Sequence, residues 1–573
     1  MGSVRFETAA SVPSSAPERA DIALFVGWVA RRPLAWADAP PFGRPPFTPV
    51  PAPVRRWLRE RGWLDAAQAG EDGRGLPLLG LPVPVDSWDV FHQLFAWERR
   101  RLATGEEGAT YLGAAVRSFF SQGGRRCYVV ALGEPWTYGA ERRERLPRLE
   151  EALPGWGGGR PSLPTERDTW RGIGHLYGLP DVSFLALPDL ADAVAGEPEP
   201  VAPIAPPPVP REEFRECSAG DPAPVRSLEV RTLRAPRCDA EGYHAWAGAV
   251  RHAAHLLRAR AREVQLVAAL PIPADGVTVP DDPEAVYVRP PADPFDDGFD
   301  PGTADAPDAR AADALLRFLT ASDWLRDSLG DSGESIASAF VQVAYPWLVT
   351  PGSARLPEGL EGPEGALVGM LARNALLRGT FRSAASLDAG DVTAVFPVVD
   401  RGQLDRDLRD GARRNGLLRS GPQRSLGQRI TLFGPTPRGV RLLSDVTTSR
   451  DEAWRFAGVC RLVASIVRAA RVLGEGSVFE GNGERLWASV ERRLGSLLLG
   501  LLRDGALRGA SPEEAFEVRC DRTTMTQNDL DEGRVVARVV LQPSAPVERI
   551  VVVLAVNDGG RAAVPSAPGR EAA

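Results

Sequence analysis

A chain of 573 residues with 43% apolar side chains is long enough for roughly two to four domains with ordinary cores. Its net charge of −7 gives no footprint for nucleic acid, and no apolar run approaches the ~18–20 residues of a membrane span. The five cysteines (Cys127, Cys217, Cys238, Cys460, Cys520) are odd in number and lack CxxC spacing, and the amino terminus lacks the basic and apolar regions of a signal peptide, so a soluble protein made in a reducing cytoplasm is expected.

In chain order, residues 1–20 read as a polar arm that includes Val4, Arg5 and Phe6, followed by an apolar strand over Ile22–Ala30. Residues 40–53 hold seven prolines, which excludes a continuous helix or an interior strand there. Seven more between Glu197 and Arg211 predict an extended, polyproline-like surface connector. A helix over Glu241–Arg262 leads into an apolar strand over Val264–Ile272, and this alternation predicts an α/β domain with a largely buried sheet. Between Asp275 and Asp331, fourteen acids stand against four arginines, which predicts a solvated, outward-facing insertion.

The last quarter is the most structured stretch. Ser449 and Glu452 have capping-box spacing ahead of a helix ending at Gly474, with an apolar stripe of Val459, Leu462, Val463, Ile466, Val467, Ala470 and Leu473. Arg461 and Arg468 sit on its other side. Asn482 is placed to cap a second helix that carries Leu486, Val490, Leu494, Leu498 and Leu501 and stops at Gly505. Ser511, Pro512 and Glu514 open a short third helix, and strands follow at Phe516–Cys520, Arg534–Leu541 and Arg549–Val556.

This order, with the wording FEGNGERLW (Phe479–Trp487) and SPEEAFEVRCD (Ser511–Asp521), resembles the C-terminal domain of contractile tail sheath proteins. The resemblance continues upstream. Ala114–Val130 is similar to the family's helix, glycine pair and buried strand, Asp181–Leu190 to its second strand, Phe340–Val349 to the strand ending in Tyr-Pro-Trp, and Glu361–Ser386 to the segment after it. Departures occur where the family tends to have Pro-Pro-Ser-Gly (here Gly362, Pro363, Glu364, Gly365), aspartate (Asn374), proline (Gly481) and Ala-Pro-Ala-Asn (Ser383–Ser386).

The resemblance implies a mixed α/β and α+β fold: a subtilisin-like α/β sheath domain with insertions, and a C-terminal α+β domain completed by strands from neighbouring subunits. On that basis residues 1–31 are an arm and first strand, 32–105 a Pro/Gly-rich segment, and 106–400 the sheath domain with the linker 197–211 and an acidic insertion 275–310. Residues 401–446 connect to a C-terminal domain over 447–560, and 561–573 form a flexible tail.

The implied function is structural. The chain would polymerise helically with itself around an inner tube protein, meet baseplate and tail terminator or cap proteins, and contract without catalytic residue, cofactor or metal. It would assemble in the cytoplasm as part of a phage tail or tail-like particle, without inserting into a membrane. Candidate inter-subunit strands are Val4, Arg5 and Phe6 and the run Ile550, Val551, Val552, Val553 and Leu554. Candidate tube-contact residues are Arg461, Arg468, Arg485, Arg492 and Arg493.

Other readings carry less. The departures from the family wording and the long insertions favour a non-contractile scaffold or end-cap paralogue, against which both chain-end strands count. Gly330–Gly333 (GDSG) and Ala253–His255 (AAH) resemble serine protease segments, yet His255 falls on a predicted helix and Ser332 in an acidic linker. His244, His252 and His255 share a helix without a matching acid or cysteine cluster, and Asp293–Asp300 resembles a calcium loop whose third and twelfth ligand positions are Phe295 and Ala304.

Overall fold

The apolar run after Ala20 becomes a strand with no residue facing water: Ala23–Gly27 (β1) is buried throughout. A computed structural model describes residues 20–34, 47–64, 73–197, 229–274, 336–398, 429–449, 451–476, 481–544, 550–556 and 562–563. The chain divides into a large unit, Asp21–Arg373 with Ser383–Gly458, and a small unit, Met1–Ala20 with Asn374–Arg382 and Val459–Ala573.

After β1 the large unit continues with helix α1 (Ala52–Glu60), strand β2 (Pro82–Val85), α2 (Trp88–Leu94), α3 (Tyr111–Ser121), β3 (Cys127–Ala131) and β4 (Phe184–Ala186). Next come α4 (Leu190–Val194), α5 (Ala240–Arg260), β5 (Gln265–Ala269), β6 (Val341–Tyr345), β7 (Trp347–Val349), α6 (Glu364–Arg378), β8 (Ala394–Phe396), β9 (Thr431–Thr436) and β10 (Gly439–Leu442). One eight-stranded sheet runs in the order β10-β9-β6-β5-β4-β1-β3-β2. The six inner strands are parallel, and β10 and β2 are antiparallel edges. Tyr-Pro-Trp splits the predicted Phe340–Val349 strand: β6 stays in the sheet, while β7 pairs with β8 in a separate two-stranded ribbon.

Alternate residues of each strand serve opposite faces, as the two-residue period requires. Phe25, Val129 and Phe184 join Leu112, Val116 and Phe119 of α3 and Leu367, Met370 and Leu371 of α6 in one core. Leu24, Val26, Leu185 and Leu266 join Leu190 and Val194 of α4 and Trp246, Val250 and Leu257 of α5 in the other. The sheet is thus buried on both faces, which is why its strands read as unbroken apolar runs. Helices α3 and α6 meet backbone to backbone: a Cβ on Gly365 would lie 2.3 Å from the Ala115 carbonyl oxygen, and one on Gly369 2.4 Å from that of Phe119.

An ion pair is sealed inside this unit. Arg100 Nη2 lies 2.7 Å from Asp192 Oδ2, and the Arg100 side chain is only 2% exposed. Its Nε donates to the Trp136 carbonyl at 2.9 Å, its guanidinium sits 3.7 Å from the Tyr138 ring centroid, and Trp136 Nε1 donates to Asp192 at 2.7 Å. Burial alone would lower the Arg100 pKa, but Asp192 and the facing tyrosines outweigh it and the net direction is upward.

The structure departs from the sequence reading at several boundaries, beginning with the predicted Pro/Gly-rich segment 32–105, which supplies β2 to the large sheet. Part of the predicted connecting segment 401–446 belongs to the large sheet, because β9 pairs with β6 through Ala344↔Thr431 and Tyr345↔Leu432. Within the predicted tail 561–573, Ala562 and Ala563 form a short strand. The proline connector, the acidic insertion with its calcium-like and GDSG segments, and the arm residues Val4, Arg5 and Phe6 lie outside the described residues.

Candidate functional site

The small unit contains helices α7 (Ala457–Glu475), α8 (Glu484–Arg503), α9 (Pro512–Ala515) and α10 (Gln527–Asp531), and strands β11 (Phe516–Arg519), β12 (Val535–Leu541), β13 (Ile550–Val556) and β14 (Ala562–Ala563). Its sheet runs in the order β11-β12-β13-β14. Along β12, Val535, Ala537, Val539 and Leu541 are buried, while Arg538 between them is exposed. Helix α8 packs on β11 and β12 and buries Leu486, Leu494 and Leu498; Val490 and Leu501 remain half-buried.

Caps differ from the predicted ones where a competing partner is nearer. The first long helix begins at Ala457 rather than near Ser449, because Asp451 instead caps a separate single turn, Glu452–Trp454, by accepting from the Ala453 N–H. Asn482 does not cap α8; its Oδ1 accepts from Trp487 Nε1 at 2.8 Å, and Gly483 is the N-cap. Glu514 reaches back to the Ala510 N–H at 2.9 Å, while the Ser511 side chain makes no cap bond. The end of α8 is as read: it closes at Arg503, with Gly505 at φ +78°. Sequence reasoning missed α10, whose signal was a capping box of Thr526 and Asp529.

Edge chemistry separates the two sheets. In the large unit, β2 carries Pro82 and Pro84, which cannot donate to another strand. The other edge, β10, is covered by main-chain hydrogen bonds with 386–389, among them Ser386 N–H to Leu442 O at 2.7 Å and Ala389 N–H to Val440 O at 2.9 Å. In the small unit, β13 pairs with β12 through all seven residues, Val535↔Val556 to Leu541↔Ile550. Among the described residues its other side is paired only at Ala555↔Ala563 and Val556↔Ala562. Ile550, Val551, Val552, Val553 and Leu554 therefore form an edge without proline or charge.

The five candidate arginines do not form one surface. Arg485, Arg492 and Arg493 of α8 are exposed. Arg461 and Arg468 of α7, the other two candidate tube-contact residues, are buried at 4% and 5% exposure. Arg461 donates to the carbonyls of Thr380 and Arg382, at 3.3 and 3.4 Å. The physical reason is that α7 is buried nearly all round up to Ala470, with Ala469 covered as well as the predicted stripe from Val459 to Ala470.

His244, His252 and His255 line an open groove of about 600 Å³ along α5 with Trp156, Glu241 and Arg251. His252 Nε2 lies 3.0 Å from the Pro154 carbonyl, and among the described residues no three metal-binding side chains converge.

No family model and no curated protein matches the chain. Among solved structures, a chain of the anti-feeding prophage baseplate in its contracted state aligns with a TM-score of 0.50 and 18% identity over 96% of each chain. A chain of the anti-feeding prophage helical sheath in its contracted state gives 0.47 and 18%, covering 96% of this chain and 97% of that one. One from an extracellular contractile injection system, the PVC sheath complex in its contracted state, gives 0.45 and 17% over 82% and 84%. The first of these alignments shows a shared fold over 96% of the chain.

Proposed function

We propose that the chain is a structural subunit of a contractile tail sheath, polymerising helically around an inner tube and contracting to drive the tube into a target. The observation that carries this reading is the shared fold over 96% of both chains with a component of a contracted injection-particle baseplate. The β13 edge, unpaired over Ile550–Leu554 among the described residues, supports it independently, since a subunit that joins its neighbours by strand addition needs such an edge.

In this reading, arms from neighbouring subunits, including Val4, Arg5 and Phe6, complete the small-unit sheet beside Ile550–Leu554. A head-to-tail contact that does not close gives an open helix. The strand mesh keeps subunits linked while the α/β units, subtilisin-like in this reading, rotate between a long metastable packing and a short wide one. New interface burial summed over many subunits drives the change, and no catalytic residue or cofactor takes part. Arg485, Arg492 and Arg493 supply the charged contact to the inner tube, where complementary charge fixes register. Assembly takes place in the cytoplasm, with baseplate and terminator or cap proteins at the ends.

A second reading, a specialised subunit at one end of the tube, is favoured by the origin of that shared fold in a baseplate. Co-expression with tube and baseplate proteins, followed by negative-stain imaging, tests both. Long tubes support the trunk subunit and short rings on a baseplate support the end subunit. A monodisperse chain in the presence of both partners overturns the assignment.

A further inference from the structure

Glu364, which stands where the resemblance leads one to expect serine, is the first residue of α6 and is 2% exposed. Glu361, three residues earlier, is 1% exposed. Its main chain is pinned to β7 by reciprocal hydrogen bonds with Leu348 at 2.9 and 3.0 Å. Its side chain accepts from the Ser118 hydroxyl of α3 and faces Thr350 after β7. Glu364 Oε2 has no hydrogen-bond partner among the described residues and folds back over its own turn, 2.3 Å from where a Cβ on Gly362 would lie.

The charges around the pair do not neutralise it. Arg117 of α3 is the one cation acting on Glu361, and it forms no ion pair with it among the described residues. The charged groups acting on Glu364 are both acids, Glu361 and Asp189. Asp189 is itself buried and accepts from the Trp28 N–H at 2.8 Å, with Arg100 and Asp192 beyond it. An ionised carboxylate sealed without a cation is strongly disfavoured, whereas a neutral carboxyl supplies a donor and needs no counter-ion.

We propose that Glu361 and Glu364 form a proton-holding pair at the joint of α3, β7 and α6: the folded large unit binds protons there that the open chain releases. When the pair is neutral the backbone-to-backbone contact of α3 with α6 is tight; when it ionises, like charges sit at the end of that contact and loosen it. The titration points the same way. Burial pushes both carboxyls from the usual range up to about 8, against the Ser118 and Thr350 hydroxyls for Glu361 and the backbone N–H for Glu364. A carboxyl raised in the folded state contributes stability that is fully present below its unfolded pKa and is lost as pH rises to the folded value. The window therefore runs from about pH 4.5 to about pH 8.

The test is thermal unfolding of the full chain across that window, for wild type, E361Q/E364Q and E364S. Wild type is expected to lose melting temperature as pH rises to about 8, and the double variant to lose roughly half as much or less. Equal slopes in wild type and double variant overturn the proposal. Because the variants can fail to fold, infrared spectra of the wild type provide a second measurement. The proposal requires a neutral-carboxyl carbonyl band at about pH 6.5 that disappears above about pH 9. Its absence at the lower pH overturns the proposal without any variant.

Discussion

In the large unit the sheet is sandwiched between helical layers and both of its edges are blunted, β2 by Pro82 and Pro84 and β10 by the strap 386–389. In the small unit, among the described residues, β13 is paired along its full length on one side and at two residues on the other. Among the described residues, the same strand chemistry is thus closed in one region and left open in the other. A unit whose edges are closed moves as a body, whereas an open, uncharged edge is a place for another chain. Both units seal charged side chains, Arg100 with Asp192 in the large one and Arg461 and Arg468 in the small one, while α8 also shows water a row of arginines.

The largest expected effect comes from removing the open edge. Deleting Val547–Ala573 takes away β13 and β14; polymer should be abolished while circular dichroism still reports the folded α/β unit, and contractile tubes built by the truncated chain would end the idea that this edge joins subunits. Next comes the sealed ion pair. Asp192→Ala leaves Arg100 buried without its carboxylate, and chemical unfolding should show a loss of about 3–5 kcal/mol in the large unit. A loss below about 1 kcal/mol would mean that water reaches this core.

The exposed arginines sharpen the contrast from the other side. Reversing Arg485, Arg492 and Arg493 together to glutamate should impair loading onto inner tube, measured by co-sedimentation. Stability should change by no more than about 1 kcal/mol, since exposed pairs contribute little each. Normal loading by the triple variant would place the tube contact elsewhere. The smallest effect is expected at the capping box of α10, where Thr526→Ala should cost about 1 kcal/mol of small-unit stability in a denaturant titration. No change there would show that α10 is held by its packing on β12 rather than by its cap.

Periodicity made the strands legible: the apolar runs at Ile22–Ala30, Val264–Ile272 and the two C-terminal valine-rich stretches each contain a strand. The strand β9 was hidden because Gly434 and Pro435 interrupt its pattern. The structure tolerates that proline because pairing with β6 stops at Leu432, so no ladder bond is missing there. Caps were misread where a side chain had a second choice, as Asn482 had in Trp487. The burial of Arg461 and Arg468 was not legible at all: a helical wheel gives relative faces, and a second buried face is a property of the folded chain. For the candidate site, the run Ile550–Leu554 could be read as a strand, but its uneven pairing could not, because sequence does not say where a partner strand stops.

The side of β13 that is unpaired over Ile550–Leu554 among the described residues also bears on the subunit before it finds a partner. Ile550–Val556 is a seven-residue, uncharged segment rich in β-branched residues and without proline or glycine, the composition from which cross-β stacks are built. Free protein carrying it at a sheet margin faces a kinetic competition between ordered capture and indiscriminate stacking, and the second route grows with concentration. Slow synthesis, dilution or early supply of a nucleating surface thus become conditions for obtaining the protein in useful form.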